Sequence, residues 1–105
     1  MKLALNCYAL TKQFPHPELF GMTSHVRRAC ASIPANIAEG HGREHTGSFI
    51  QALRIAQGSL KELETHLLIA QRVGIASHEA VNALMTTSES VGTLLRLLIR
   101  KLSPE

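Results

Sequence analysis

The sequence contains no tryptophan, and aromatic residues make up only 4% of its 105 residues. Hydrophobic residues nevertheless account for 45% of the chain, so leucine, isoleucine, valine and alanine must form most of its core. This composition favours a helical protein over an aromatic-rich sheet. It also argues against a surface that stacks nucleic-acid bases on aromatic rings. The length suits one domain, residues 1–105.

Cysteine is scarce, with only Cys7 and Cys30 in the chain. Two cysteines cannot build the disulfide framework of a small secreted protein, and their spacing is not that of a zinc site. Both fall on apolar helical stripes, which indicates reduced and buried thiols. No apolar run reaches membrane-spanning length, and "MKLAL" is too short for a signal peptide. We therefore expect a cytoplasmic protein.

Motifs of catalysis and metal binding are also missing. The sequence has no nucleophile elbow, no phosphate-binding loop and no zinc-ligand spacing. His41 and His45 flank Glu44, but the glycines around them disfavour a regular helix that would align the two imidazoles. We expect no catalytic residue, no bound metal and no cofactor.

Apolar residues recur at steps of three and four in four segments, which is the spacing of one helix face. From the first segment to the last, these stripes are Leu3, Cys7, Leu10 and Phe14; Val26, Cys30, Ile33 and Ile37; Phe49, Leu53, Ala56, Leu60, Leu63, Leu67 and Ala70; and Val81, Leu84, Ser88, Val91, Leu95, Leu98 and Leu102. Matched stripes joined by short links predict an all-α, antiparallel, up-down-up-down four-helix bundle.

Breaker sequences separate these helices. "FPHPELFG" and "EGHGREHTG" interrupt the pattern, Gly74 ends helix three, and Ser77 caps helix four. Helix one has only about fourteen residues before Pro15, whereas helices three and four each have about 25. A short first helix would leave part of the bundle's groove uncovered.

Helices three and four also carry apolar residues outside their stripes. These are Ile50, Ile55, Leu68, Ile69, Leu94, Leu97 and Ile99. A small isolated bundle would have a more polar outer surface. Surplus apolar surface of this kind is typical of subunit interfaces, so we expect a homo-oligomer.

The stretch "SIPANIAEGHGR" places Pro34 inside helix two. Proline removes one backbone donor and its ring crowds the carbonyl of Cys30, which predicts a kink near Pro34. Asn36 and Glu39 lie three residues apart and so share a helix face. If that face is buried, both need polar partners. The candidates are Arg27 or Arg28, Ser59 and Glu62.

This predicted polar cluster therefore contains Arg28, Asn36, Glu39, Ser59 and Glu62. Two interpretations are open. The cluster either fixes the register of the helices or forms a binding or catalytic site, and we favour the structural role because carboxylates also occur in purely structural networks.

Basic residues outnumber acidic ones, giving a net charge of +3 and a sequence pI of about 9.2. Arg54 and Lys61 lie on the outer side of helix three, and Arg96, Arg100 and Lys101 cluster at the end of helix four. Repeated around a ring, these charges would form a basic band suited to phosphates. The sequence thus predicts that these five side chains bind nucleic acid with little sequence specificity.

Three stretches, "LTKQFP", "VRRACASIPANIAEGHGR" and "IAQGSLKELETHLLIA", closely resemble the family of 23S rRNA intervening-sequence proteins, which is related to the accessory variability proteins of diversity-generating retroelements. The resemblance is strong from Leu10 to Ala70. The matching positions are Arg28, Ser32, Ile33, Pro34, Asn36, Ile37, Glu39, Gly40, Ser59, Leu60 and Glu62.

The resemblance implies a four-helix bundle assembled as a ring-like homopentamer with a basic surface, a nucleic-acid or ribonucleoprotein partner, and no defining enzymatic activity. Relatives usually begin earlier in helix one, so we expect either a late start codon or a shortened first helix. Two functions are open: a ring that binds RNA or DNA, or a scaffold that docks a protein such as a reverse transcriptase.

Overall fold

A computed structural model describes residues 1–42 and 45–104. These residues form α1 (Lys2–Thr11), α2 (Ser24–His41), α3 (Thr46–Arg72) and α4 (His78–Leu102), and they include no strand. A 3-10 turn (His16–Glu18) and a π-helical turn (Leu19–Thr23) connect α1 to α2. The all-α, four-helix prediction is confirmed, as is the short first helix of 10 residues.

The helices pack side by side as a bundle. α3 lies along both α2 and α4, and α1 contacts α2 and α4. The α3 stripe is buried as predicted, apart from the half-buried Phe49 at its first position. None of the helices in the described ranges is long and apolar enough to cross a membrane.

The buried face of α4 differs from the predicted stripe after Ser88. Gly92 and Ile99 are buried, whereas Val91 and Leu98 are only partly buried. A straight α-helix drifts by about 20° per heptad relative to a strict seven-residue repeat, so the face in contact moves by one residue along a long helix. Ile99, which we counted as surplus apolar surface, therefore belongs to the core.

The ends of α3 and α4 follow the predicted signals. Gly74 has a φ of 85°, the left-handed conformation that a glycine adopts most easily after a helix. The Ser77 side chain accepts a hydrogen bond from the Ala80 amide at 3.1 Å and so caps α4. Local sequence thus sets the tight connection that aligns α3 with α4.

α2 continues as one helix through Pro34. The backbone leaves helical angles upstream, at Gly21, where φ is −106° and ψ is −107°. The chain thus turns into α2 within the π-helical segment. A bend at Pro34 itself stays a prediction.

Cys7 on α1 and Cys30 on α2 are free thiols with exposures of 0% and 1%. A hydrogen bond with Cys30, together with burial, raises the pKa of the Cys7 thiol. Cys30 in turn lies 3.9 Å from the Ala4 carbonyl oxygen. These contacts confirm the prediction of buried thiols, which here join α1 to α2.

Candidate nucleic-acid interface

A groove of about 600 Å³ runs between α3 and α4. Three of the five predicted nucleic-acid-binding residues line it: Arg54 and Lys61 from α3, and Arg96 from α4. Arg54 and Lys61 share one face because they are two helical turns apart, about 10 Å along the axis. We call this surface the α3–α4 groove.

The other two predicted residues lie beyond the α3–α4 groove, in the last turn of α4. Arg100 and Lys101 are exposed there. Arg100 follows Arg96 by four residues, so it extends the same helix face by one turn. Lys101 follows Leu97 by four residues and belongs to the neighbouring face. Together with the groove they place positive charge along one end of the bundle.

Acidic side chains also line the α3–α4 groove, and one of them is held in place. Ser88, which is fully buried, donates a hydrogen bond of 2.5 Å to Glu64 Oε2. The other oxygen of Glu64, Oε1, lies 3.4 Å from Lys61 Nζ. Lys61 is thus partly neutralised within the protein. We did not predict this contact, although a serine in the apolar stripe of α4 was a signal that Ser88 has a polar partner.

The two arginines of the groove are less constrained. Arg96 Nη2 donates to the Thr93 hydroxyl at 3.1 Å, which steadies its guanidinium on α4. Within the described ranges, neither Arg54 nor Arg96 forms a salt bridge with a carboxylate. Both guanidinium groups are exposed and keep most of their donors available for phosphate oxygens.

The predicted polar cluster is only partly assembled. Ser32 Oγ and Ser59 Oγ lie 2.8 Å apart and link α2 to α3. Asn36 Nδ2 donates to the Ser32 carbonyl oxygen at 2.8 Å and to Ser32 Oγ at 2.9 Å. Asn36 therefore connects to Ser59 through Ser32, a residue that we had noted only as part of the family motif.

The remaining members of the predicted cluster point to other partners. Arg28 Nη2 donates to Ser24 Oγ at 3.4 Å, and Glu62 Oε1 lies 3.6 Å from His66 Nε2. Glu39 is exposed and lines a shallow pocket beside Asn36. Charged side chains on a helix surface interact readily with water and with neighbours on their own helix, so they need not join the half-buried amide of Asn36.

The contacts of Asn36 predict a structural role for it. Replacing Asn36 by Ala should lower the free energy of unfolding by about 1 kcal/mol, because Ser32 loses a hydrogen-bond partner at the α2–α3 interface. Chemical denaturation would measure this, with Asn82→Ala on the exposed face of α4 as the control. An Asn36→Ala protein of unchanged stability that no longer binds RNA would contradict the structural role.

His41 and His45, which the sequence offered as metal ligands, lie at the last residue of α2 and just before α3. His41 packs edge-on against Phe49 with ring centroids 5.7 Å apart, and His45 immediately precedes α3. Glu44, which we considered from the sequence, lies outside the described residues. Within the described part of the chain, no three His, Cys, Asp or Glu side chains are placed to hold a metal ion.

The family model described as "23S rRNA-intervening sequence protein" matches residues 1–96. The chain belongs to this family. Its fold is similar to the crystal structure of a protein of unknown function from the S23 ribosomal protein family of Bacteroides thetaiotaomicron, with a TM-score of 0.87 and 26% identity. That similarity covers 93% of this chain and 92% of the other. No curated protein matches the sequence of this 23S rRNA-intervening sequence protein.

Proposed function

We propose that this 23S rRNA-intervening sequence protein is a non-catalytic, cytoplasmic protein that binds RNA or DNA through its basic surface. Phosphates would contact Arg54, Lys61 and Arg96 in the α3–α4 groove, with Arg100 and Lys101 extending the contact. The observation that carries this proposal is the meeting of Arg54 and Arg96, from two different helices, in one groove.

Recognition of phosphates rather than bases follows from the composition of the groove. Its described lining contains no aromatic side chain on which a base could stack. Arginine and lysine suit phosphate oxygens, which are the same in every sequence. Binding should therefore depend strongly on charge and weakly on nucleotide sequence.

We further propose a ring-like homopentamer, held together by apolar residues that a monomer leaves exposed. Leu94 and Leu97 on α4 are 66% and 53% exposed, and Ile55 on α3 is 50% exposed. Large apolar side chains at this exposure favour contact with another subunit. Repetition of the α3–α4 groove in each subunit would multiply the phosphate contacts available to one strand.

A salt titration combined with sedimentation tests this proposal. If six or more phosphate contacts form, affinity for labelled RNA should fall by about a thousandfold between about 50 and 200 mM salt. Unrelated sequences of equal length should bind within a few-fold of one another, and sedimentation should give five subunits. A stable monomer, or the absence of binding at low salt, would contradict the proposal.

The second candidate function is a scaffold that docks a protein such as a reverse transcriptase, with nucleic acid incidental to it. The exposure of Leu94 and Leu97 beside Lys101 favours this alternative. A Leu94→Ser/Leu97→Ser variant separates the two. If it retains its subunit number and RNA affinity but loses a protein that copurifies with the native form, the scaffold function is supported.

A further inference from the structure

A second basic pocket lies where α1 ends and α2 begins. Its volume is about 360 Å³. Three basic side chains, Lys12, His16 and Arg27, line it together with the hydroxyl-bearing Thr11 and Thr23. Among the described residues, no acidic side chain lines this surface, which we call the end pocket.

Arg27 is held in a fixed position in the end pocket. Its guanidinium carbon lies 4.9 Å from the centroid of the Tyr8 ring, and its Nε donates to Thr11 Oγ1 at 2.8 Å. Thr11 Oγ1 in turn donates to the Tyr8 carbonyl oxygen at 3.1 Å. Two residues of α1 therefore orient the guanidinium before any ligand arrives, which reduces the entropy lost on binding.

The Arg27 guanidinium has N–H donors to spare and, among the described residues, no carboxylate partner. Arginine carries five N–H donors, and the bond to Thr11 uses one of them. No carboxylate in the described ranges forms a salt bridge with Arg27. Glu18, the acidic residue nearest in sequence to His16, does not line the end pocket. A half-buried, oriented and unpaired arginine is a strong site for an oxyanion.

The charges around Arg27 favour a doubly charged anion. Lys12 approaches from the end of α1 and His16 from the 3-10 turn, so basic side chains from three chain segments line one pocket. A phosphate within a strand carries one negative charge, whereas a terminal phosphate carries nearly two at neutral pH. Clustered cations at a single point therefore favour the terminal phosphate, whereas cations spread along the α3–α4 groove suit a backbone.

We propose that the end pocket binds a phosphomonoester, with Arg27 as the main ligand and Lys12 and His16 completing its charge. The phosphomonoester comes either from a free nucleotide or from the 5′ end of a nucleic-acid strand. The end pocket does not depend on the α3–α4 groove. It would give the protein a preference for terminal phosphates, which contacts with phosphates within a strand cannot provide.

Calorimetric titration with AMP and with adenosine tests the end pocket directly, and inorganic phosphate serves as a competitor of AMP. AMP should bind, adenosine should not, and phosphate should displace AMP.

RNA that differs only in having a 5′-phosphate or a 5′-hydroxyl then distinguishes a free nucleotide from a strand end as the source of the phosphomonoester. A strand-end site should favour the 5′-phosphate about tenfold, the effect of roughly one charge-assisted hydrogen bond, whereas a site for free nucleotides should bind AMP and show no such preference.

Lys12→Glu is the decisive variant, because Lys12 is exposed and its replacement should leave the fold intact. It should abolish AMP binding, whereas Lys2→Glu, an equal charge change at the other end of α1, should not. If AMP binds no better than adenosine to the unaltered protein, or if Lys12→Glu binds AMP normally, the proposal is wrong. An Arg54→Glu/Arg96→Glu protein should still bind AMP, so failure of the groove and failure of the end pocket are separable.

Discussion

Reversing the charges of Arg54 and Arg96 together, by Arg54→Glu/Arg96→Glu, is expected to weaken RNA binding by at least about 100-fold at low salt. Each arginine supplies charge-assisted hydrogen bonds to phosphate of about 1.5–3 kcal/mol, and a loss of about 1.4 kcal/mol is a tenfold loss of affinity. Both side chains are exposed, so the fold should be unaffected. Fluorescence anisotropy with a labelled RNA would measure the change.

The matched control is Arg28→Glu/Arg72→Glu, which lowers the net charge of +3 by the same amount as Arg54→Glu/Arg96→Glu. Arg28 and Arg72 are also exposed, but neither lines the α3–α4 groove. When both double variants are compared at about 100 mM salt, this control should lose no more than about threefold in affinity, because surface charges more than about 10 Å from the groove are then largely screened. Equal losses in the two double variants would mean that binding follows net charge and that the groove has no special role.

Replacing Gly40 by Ala is expected to destabilise the protein by about 1–3 kcal/mol, which is the usual cost of overpacking a core. A Cβ at Gly40 would lie 2.5 Å from Ala52 Cβ and 3.0 Å from Phe49 Cδ1, so α2 and α3 would have to move apart. Urea denaturation would show a lower midpoint with an unchanged slope.

Gly58→Ala is the control for that prediction, since it is the same substitution inside α3. A Cβ at Gly58 meets no atom within 4 Å, so alanine should stabilise the helix by up to about 1 kcal/mol through its higher helix propensity. If Gly40→Ala stabilised the protein as Gly58→Ala should, the close approach of α2 and α3 at Gly40 would be wrong.

The features that the sequence predicted well depend on local chemistry. The stripe of α3 from Leu53 to Ala70 is buried because its spacing matches one face of a regular helix. Gly74 and Ser77 mark the ends of α3 and α4 because a left-handed turn and a side-chain cap need those residue types. Such signals lie within a few residues of their effects.

The features that it did not predict depend on how the helices meet. The Ser88–Glu64 hydrogen bond joins residues on α4 and α3 whose distance is set by the register of the two helices. The drift that buries Gly92 is invisible to a strict heptad count. We grouped Arg28 and Glu62 with Asn36, but each contacts a residue four positions away on its own helix, Ser24 and His66 respectively.

The candidate interface depends partly on local sequence and partly on helix packing. Spacing alone placed Arg54 and Lys61 on one side of helix three, and composition pointed to phosphates. Only the packing of α3 against α4 brings Arg96 into the same groove. We did not predict the end pocket, because Lys12, His16 and Arg27 come from three separate segments that only the fold brings together.

The most direct test of RNA binding in the α3–α4 groove is to crosslink the protein to a 5′-hydroxyl RNA and identify the attached peptides by mass spectrometry. An RNA with a 5′-hydroxyl lacks the terminal phosphate that the end pocket would bind, so its crosslinks should form at the α3–α4 groove alone. We expect crosslinks concentrated within 54–61 of α3 and 96–101 of α4, and their loss in Arg54→Glu/Arg96→Glu. Crosslinks confined to α1 and α2, or a pattern unchanged in that variant, would contradict it.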